Sequence, residues 1–181
     1  MATLRLAFRH CDPRFPFLWQ TADQPAARWH GAGEGPANYF ADTPSGAWAE
    51  FLRHEGITDA ADLPGVRRSL WAVELPAVAE ADIARPSLPE AVLWGNESSY
   101  PPCQAAARAA RAAGQRWLEA RTAALWPGQA RGWTAAPVPQ RETAARDGLV
   151  SVHFGPCSFV GWPVVFAGSP PAEILPLVRG F

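Results

Sequence analysis

No lysine occurs anywhere in this chain of 181 residues. All 16 of its Lys/Arg positions are arginine, so each fixed positive charge is a planar fork suited to carboxylate or phosphate. GC-rich codon usage, which favours Arg, Ala, Gly and Pro together, is the simplest source of that bias. Charge of one sign is also lacking. A formal net charge of −1 gives no electrostatic reason to expect nucleic acid or an anionic membrane as a partner. Cysteine is scarce: Cys11, Cys103 and Cys157 are far apart and form no C-x-x-C. With only 4 histidines beside them, a zinc site is not expected, and no metal is called for. An odd number of thiols without a disulfide framework points to a reducing, cytoplasmic compartment. Long apolar runs are missing too. The opening MATLRLAFRH is too short in apolar residues for a signal peptide. No run approaches the roughly 18 apolar residues that span a membrane. There is no internal repeat and no low-complexity tail. The length is that of one domain, expected to run over 1–181.

What is present suits a globular α+β protein, with 48% apolar residues and 9 tryptophans. Residues 4–8 alternate as LRLAF and predict a strand with Leu4, Leu6 and Phe8 on one face and Arg9 and His10 at its end. Residues 11–27 hold several prolines and predict loop. Glycines at 31, 33 and 35, followed by Pro36, exclude helix and would let backbone approach a ligand closely. They are not a dinucleotide fingerprint, because no apolar strand precedes them and no helix follows directly. Asn38–Ala41 predicts a short strand. Asp42 or Thr43 can cap a helix over Pro44–His54 that stops at Gly56. Arg68–Leu75 predicts a strand, 76–89 loop or broken helix, Cys103–Ala113 an alanine-rich helix stopped by Gly114, and Gln115–Ala120 a strand. The segment 127–147 predicts a long loop. Leu149–Phe154 and Val164–Ala167 predict strands, and Pro171–Val178 one or two helical turns. Strand and helix do not alternate regularly, so a mixed or antiparallel sheet fits better than a doubly wound one.

Three residues in the stretch from Ala27 to Glu50 (ARWHGAGEGPANYFADTPSGAWAE) carry candidate chemistry. Arg28 offers a fork for phosphate or carboxylate. Tyr39 offers a flat face and a hydroxyl. Glu50 sits among apolar helix residues, so it faces either solvent or a site. Together they suit a phosphorylated substrate with an aromatic ring that develops cationic character. A nucleotide N-glycoside meets that description, since its cleavage passes through an oxocarbenium-like state that a carboxylate stabilises. Taken singly, a loop Arg, a strand Tyr and a helix Glu are usually packing or solvated residues. His54 and His153 read as structural, and Trp117 and Trp162 as core.

The same stretch resembles the signature of the RES domain, the toxin half of RES–Xre toxin–antitoxin pairs. Arg28-Trp29 matches the family's Arg-aromatic pair, Tyr39-Phe40-Ala41 its Tyr segment, and Ala47 through Glu50 its Glu helix. LRLAFRH, RSLWAVEL, the Gln104 helix ending at Gly114, and LVSVHFGP resemble further family segments in the same order. Ala27 stands where the family has Gly, His30 where it has Asn, and Thr122 where it has Ser. The resemblance implies a mixed, split β-sheet similar to that of ADP-ribosyltransferases. It implies NAD as substrate, with cleavage of the nicotinamide–ribose bond by hydrolysis or phosphorolysis. Transfer of ADP-ribose to a protein, or an inactive binding role, stays open. On this resemblance Arg28 anchors NAD phosphate or ribose, Tyr39 stacks on nicotinamide, Glu50 steadies the oxocarbenium, Thr122 orients substrate, and Arg9 is a second phosphate contact. The implied partner is an Xre-like helix-turn-helix antitoxin.

Overall fold

The computed structural model describes residues 5–21, 23–135 and 139–180. Its strands are β1 (Arg5–Cys11), β2 (Ala37–Ala41), β3 (Arg68–Leu75), β4 (Ile83–Ala84), β5 (Trp117–Arg121), β6 (Trp133–Thr134), β7 (Arg141–Glu142), β8 (Leu149–Phe154) and β9 (Gly161–Gly168). Its α-helices are α1 (Pro44–His54), α2 (Glu90–Leu93) and α3 (Tyr100–Ala112). Seven strands form one sheet in the order β4-β5-β8-β2-β1-β3-β9, and β6 pairs with β7 separately. The sheet is mixed, because β4 runs parallel to β5 while the other pairs are antiparallel. The fold is α+β, as expected.

The sheet is also split. β1 and β2 meet only at Phe8 and Ala41, whereas β1 ladders with β3 from Arg5↔Leu75 to Cys11↔Ser69 and β2 with β8 over its whole length. Two half-sheets therefore diverge from one shared point. Successive side chains of a strand point to opposite faces, and β2 shows how each face is used. Ala37 packs with α2 and α3 against Leu118, Val150 and Val152. Ala41 packs with α1 against Phe8, Leu52 and Leu70. Phe40 faces the other way, into a core with Ala7, Val73 and Trp117 covered by Phe17 and Phe159. Tyr39 lies on the helix-covered face, between the α1 and α3 cores.

Local chemistry explains the boundaries. Thr43, not Asp42, caps α1: its hydroxyl accepts the Gly46 N–H at 2.9 Å with Pro44 in the first turn. Asp42 instead accepts the Leu149 N–H and pairs with Arg146. Helix α3 begins earlier than the expected Cys103, because Pro101 and Pro102 occupy its first turn, where a missing N–H costs nothing. Gly114 ends it at φ 85°.

Several expectations change. β1 runs on to Cys11, so Arg9 and His10 lie inside it rather than at its end; Leu4 lies outside the described residues. Leu6 is exposed while Ala7 is buried, since α1 covers only the Phe8–His10 end of that face. β4 appears within the predicted loop 76–89. Trp117 is core, but Trp162 is 47% exposed on β9, which is the outermost strand of the sheet among the described residues.

Candidate active site

A cavity of about 410 Å³ opens where the two half-sheets diverge. Arg9 and His10 come to it from β1, Tyr39 and Phe40 from β2, Glu50, Arg53 and His54 from α1, Arg68 from β3, Tyr100 from α3, and the 26–30 segment closes one side. The expected residues Arg9, Arg28, Tyr39 and Glu50 all line it. Thr122 stands directly behind, bonded to Glu50. Arg9, Arg28, Arg53, Arg68 and Arg121 line the cavity beside only two carboxylates, Glu50 and Glu55; Arg121 is also paired with Glu90 and Asp147, so the wall's positive charge comes mainly from the other four.

Glu50 is partly exposed, and what it is exposed to is the cavity. The hydroxyl of Thr122 donates to its Oε1. That same hydroxyl oxygen accepts the Ala124 N–H at 3.0 Å, which fixes the donor's direction. Burial pushes the Glu50 carboxyl above its ordinary value; the Thr122 hydrogen bond and the charges of Arg28, Arg53 and His54 pull the other way. Thr122 is buried, and its extra methyl points away from the carboxylate. A Cβ placed on Gly148 would fall 2.8 Å from Thr122 Cγ2, so the methyl fills the space over a bare glycine. The structure thus has room for Thr where the family resemblance has Ser.

Arg28 is committed to backbone. Its Nη1 donates to Val92 O at 2.9 Å and Ser99 Oγ at 3.2 Å, its Nη2 to Gly95 O at 2.7 Å, and its plane lies over the Tyr100 ring. Arg53, three residues after Glu50 on α1, donates to the carbonyls of Ala123, Trp94 and Gly95. Both guanidiniums therefore meet at Gly95. Tyr39 is equally committed: its hydroxyl accepts the Trp29 N–H at 3.0 Å and lies 2.9 Å from His30 Nδ1. Burial pulls the His30 pKa down and so favours the neutral ring, whose Nδ1 shares one hydrogen bond with the tyrosine hydroxyl. Burial likewise drives the Tyr39 phenol well above its usual range, so it stays protonated. Arg9 bridges the split by donating to Tyr39 O at 3.2 Å, with its plane 5.9 Å from the Phe40 centroid. Its Nε is buried without a partner.

The glycine segment plays a different part from the one expected. Gly31, Gly33 and Gly35 do not line the cavity. Gly33 and Gly35 have positive φ and curl the loop back, and Gly31 lies so close to the Glu34 carboxylate that a Cβ would sit 2.9 Å from Oε1. Glu34 pairs with Arg108 and Arg111, pinning the loop to α3. The glycines shape the support under Arg28 and His30. His54 was read as structural; it is exposed at the cavity, one helical turn beyond Glu50. His153 fits its structural reading, with its ring edge-on to Trp117 and Phe159.

Sequence reasoning did not single out Arg53, Tyr100 or Arg68, and noted His10 only for its place at the end of the first strand. For Arg53 a signal existed: the i, i+3 spacing from Glu50 puts both on one helix face. For Tyr100 there was none, because its two following prolines read as a break. Among the described residues, no group of three or more His, Cys, Asp or Glu side chains could hold a metal ion. No helix among them is long and apolar enough to cross a membrane.

A family model described as RES domain matches residues 5–145. The chain belongs to the RES domain family. The matched span includes Arg28, Tyr39, Glu50 and Thr122, and stops before β8. A chain in the crystal structure of the M. tuberculosis MbcT–MbcA toxin–antitoxin complex superposes on this RES protein with a TM-score of 0.57 at 15% identity, covering 97% of this chain and 90% of that chain. At that identity the likeness is one of fold. No curated protein matches.

Proposed function

We propose that this RES protein cleaves the nicotinamide–ribose bond of NAD, that its site is the cavity in the split sheet, and that it acts as the toxin of a toxin–antitoxin pair. The observation that carries the reading is the carboxylate of Glu50 at a positively lined cavity, oriented by the Thr122 hydroxyl. The lining arginines other than Arg121, which pairs with Glu90 and Asp147, suit the diphosphate of a dinucleotide. The rings of Tyr39 and Tyr100 offer faces to its bases. As nicotinamide leaves with the bonding pair, positive charge grows on the ribose, and an ionised Glu50 in a poorly solvated site stabilises it without reorganising. Water then adds to the ribose carbon and releases a proton, giving ADP-ribose; inorganic phosphate adding instead gives the phosphorylated sugar.

Arg28 and Tyr39 serve this chemistry mainly by holding the 26–30 segment and the Trp94–Gly95 turn in place, and Arg9 by holding the split at a fixed width. The inactive reading drew on the departures at Thr122 and Ala27, and Thr122 is the one bonded to the carboxylate. The hydroxyl keeps the bond a serine would make, and the methyl is accommodated over Gly148, so the substitution gives no ground for lost activity. The partner under this proposal is an Xre-like helix-turn-helix antitoxin that silences the cavity in the cytoplasm, and the whole of 1–181 acts as a single domain.

The deciding experiment incubates purified protein with NAD, with and without phosphate, and follows free nicotinamide. Release by the wild type and loss of release in Glu50→Gln is the expected result. Intact NAD after long incubation in both buffers overturns the proposal, and ADP-ribose found on a protein acceptor replaces hydrolysis with transfer.

A further inference from the structure

The segment Ala172–Arg179 lies beyond the residues matched to the RES family, yet it touches the active site's support from two directions. Its backbone runs against the 124–126 turn. Leu125 and Val178 form an antiparallel bridge, the Trp126 N–H donates to Leu177 O at 3.0 Å, and the Arg179 N–H donates to Ala124 O at 2.7 Å. Ala124 is the residue whose own N–H is held by the Thr122 hydroxyl. One residue, Ala124, therefore links Arg179 to Thr122 through its C=O and its N–H, and the Thr122 hydroxyl leads on to Glu50.

The side chain of Arg179 reaches the other support. Its guanidinium lies 4.0 Å from the Trp94 centroid and 5.1 Å from the Trp126 centroid. The Gly95 carbonyl is the acceptor shared by Arg28 and Arg53, and the Trp94 carbonyl accepts from Arg53. Arg179 Nη1 is buried with no hydrogen-bond partner, so the indole faces, not donors, hold the plane.

We propose that Arg179 is a positioning residue of the active site: it clasps the 122–126 turn to the Trp94–Gly95 turn and so sets the Thr122 hydroxyl against Glu50. This rests on the reading of Glu50 and Thr122 as the reacting pair. Arg179 touches no cavity surface, so it acts through these two turns and not on substrate. An arginine suits the task because a flat cation can stack on indole while its backbone completes a bridge. Loosening the clasp lets the Thr122 donor drift, and the carboxylate of Glu50 loses the hydrogen bond that favours its charged form.

The test follows the titration of the Glu50 carboxyl by carbon-13 NMR in protein labelled at glutamate, with the signal assigned by its loss in Glu50→Gln. Thr122→Val is expected to raise the midpoint by about one pH unit, the size of a hydrogen bond to a charged group. Arg179→Ala is expected to raise it by about half that, and the double variant to rise no further than Thr122→Val alone. Turnover of NAD should fall about 10-fold in Arg179→Ala, as for other residues that orient a reacting group. Trp126→Leu removes one stacking face from a half-exposed position, and should give a smaller shift in the same direction if Arg179→Ala does not fold. A Glu50 midpoint unchanged in a folded Arg179→Ala or Trp126→Leu overturns the proposal, whatever happens to thermal stability. The titration needs no substrate. If the wild type leaves NAD intact, the enzymatic reading fails while the clasp is still decided.

Discussion

Thr122 separates the role of a hydroxyl from that of a methyl, and two substitutions read them independently. Thr122→Val keeps the shape and removes the oxygen. Two hydrogen bonds go with it: the one donated to Glu50 and the one accepted from the Ala124 N–H. Thr122 is 4% exposed, so water cannot replace either partner without a shift of the turn. A hydrogen bond to a charged group contributes about 1.5–3 kcal/mol and a neutral one about 0.5–1.5, so the variant should be about 2–4 kcal/mol less stable. Thr122→Ser keeps both bonds and removes only the methyl over Gly148, a loss of about 1 kcal/mol. Urea unfolding should therefore place the order wild type, Ser, Val. NAD turnover should split differently, with Ser within about threefold of wild type and Val reduced about 100-fold, the scale of losing a group that orients transition-state charge. A Val variant that turns over NAD at the wild-type rate, or a Ser variant as inactive as Val, refutes the argument. The first result would remove the hydroxyl from the chemistry; the second would show that the methyl holds the geometry.

Glu50→Gln should abolish nicotinamide release yet leave the protein as stable as wild type or about 1 kcal/mol more so at neutral pH, because it removes a charge that burial disfavours. The sign follows from the raised pKa: the protonated form favours the fold, that contribution is full below the unfolded carboxyl value and is lost as pH rises through the folded one, so the stability gap between Gln and wild type should open with rising pH in denaturant titrations. The same shift places the acidic limb of the wild-type pH–rate profile above the ordinary carboxyl range. Gly148→Ala puts a Cβ 2.8 Å from Thr122 Cγ2 and 3.1 Å from Leu125 Cδ1; it should cost about 1–3 kcal/mol in urea unfolding and lower turnover by moving Thr122. Arg28→Lys keeps the charge but cannot reach Val92, Gly95 and Ser99 together while lying on Tyr100, and a drop of about 2 kcal/mol in unfolding free energy is expected.

What could be read in the sequence was whatever rests on local pattern. Helix α1, strand β3 and strand β8 fall where capping, alternation and apolar runs place them, since neighbours along the chain decide such elements. The site signature was legible for the same reason: Arg28, Tyr39 and Glu50 lie close in sequence, and their spacing survives as the wall of one cavity. Strand β4 was not legible, because two residues, Ile83 and Ala84, form a strand only through the parallel ladder that β5 offers. Trp162 was misplaced because burial of an apolar side chain depends on where its strand ends up in the sheet, and β9 became an edge. Tyr100 and Arg179 reach the site's surroundings through contacts across long stretches of chain, with Arg28 and with Trp94 and Trp126, and no local pattern announces them. The role of the glycines was inverted for a related reason. A loop that can approach a ligand can also approach a side chain, and the pairing of Glu34 with α3 decides between the two.

The positive charge of this cavity is held largely by dipoles. Arg9 donates to the carbonyl of Tyr39, and Arg28 to the carbonyls of Val92 and Gly95 and the hydroxyl of Ser99. Neutral acceptors fix a guanidinium in place without cancelling its field, whereas a carboxylate would do both. The arginines away from the cavity follow the other rule: Arg108 and Arg111 pair with Glu34, and Arg85 with Glu80 and Glu119. Arg121, although it lines the cavity, follows this second rule by pairing with Glu90 and Asp147, while Arg9 and Arg28 keep neutral acceptors where the sheet divides. Within that field Glu50 is the carboxylate with a buried hydroxyl donor of its own, an arrangement that, under the proposed function, suits an anion held by arginine and a developing cation beside Glu50. A dinucleotide whose diphosphate is fixed and whose glycosidic carbon turns positive satisfies both demands at once. A simple phosphorylated metabolite would satisfy only the first and leave the carboxylate a repulsive neighbour.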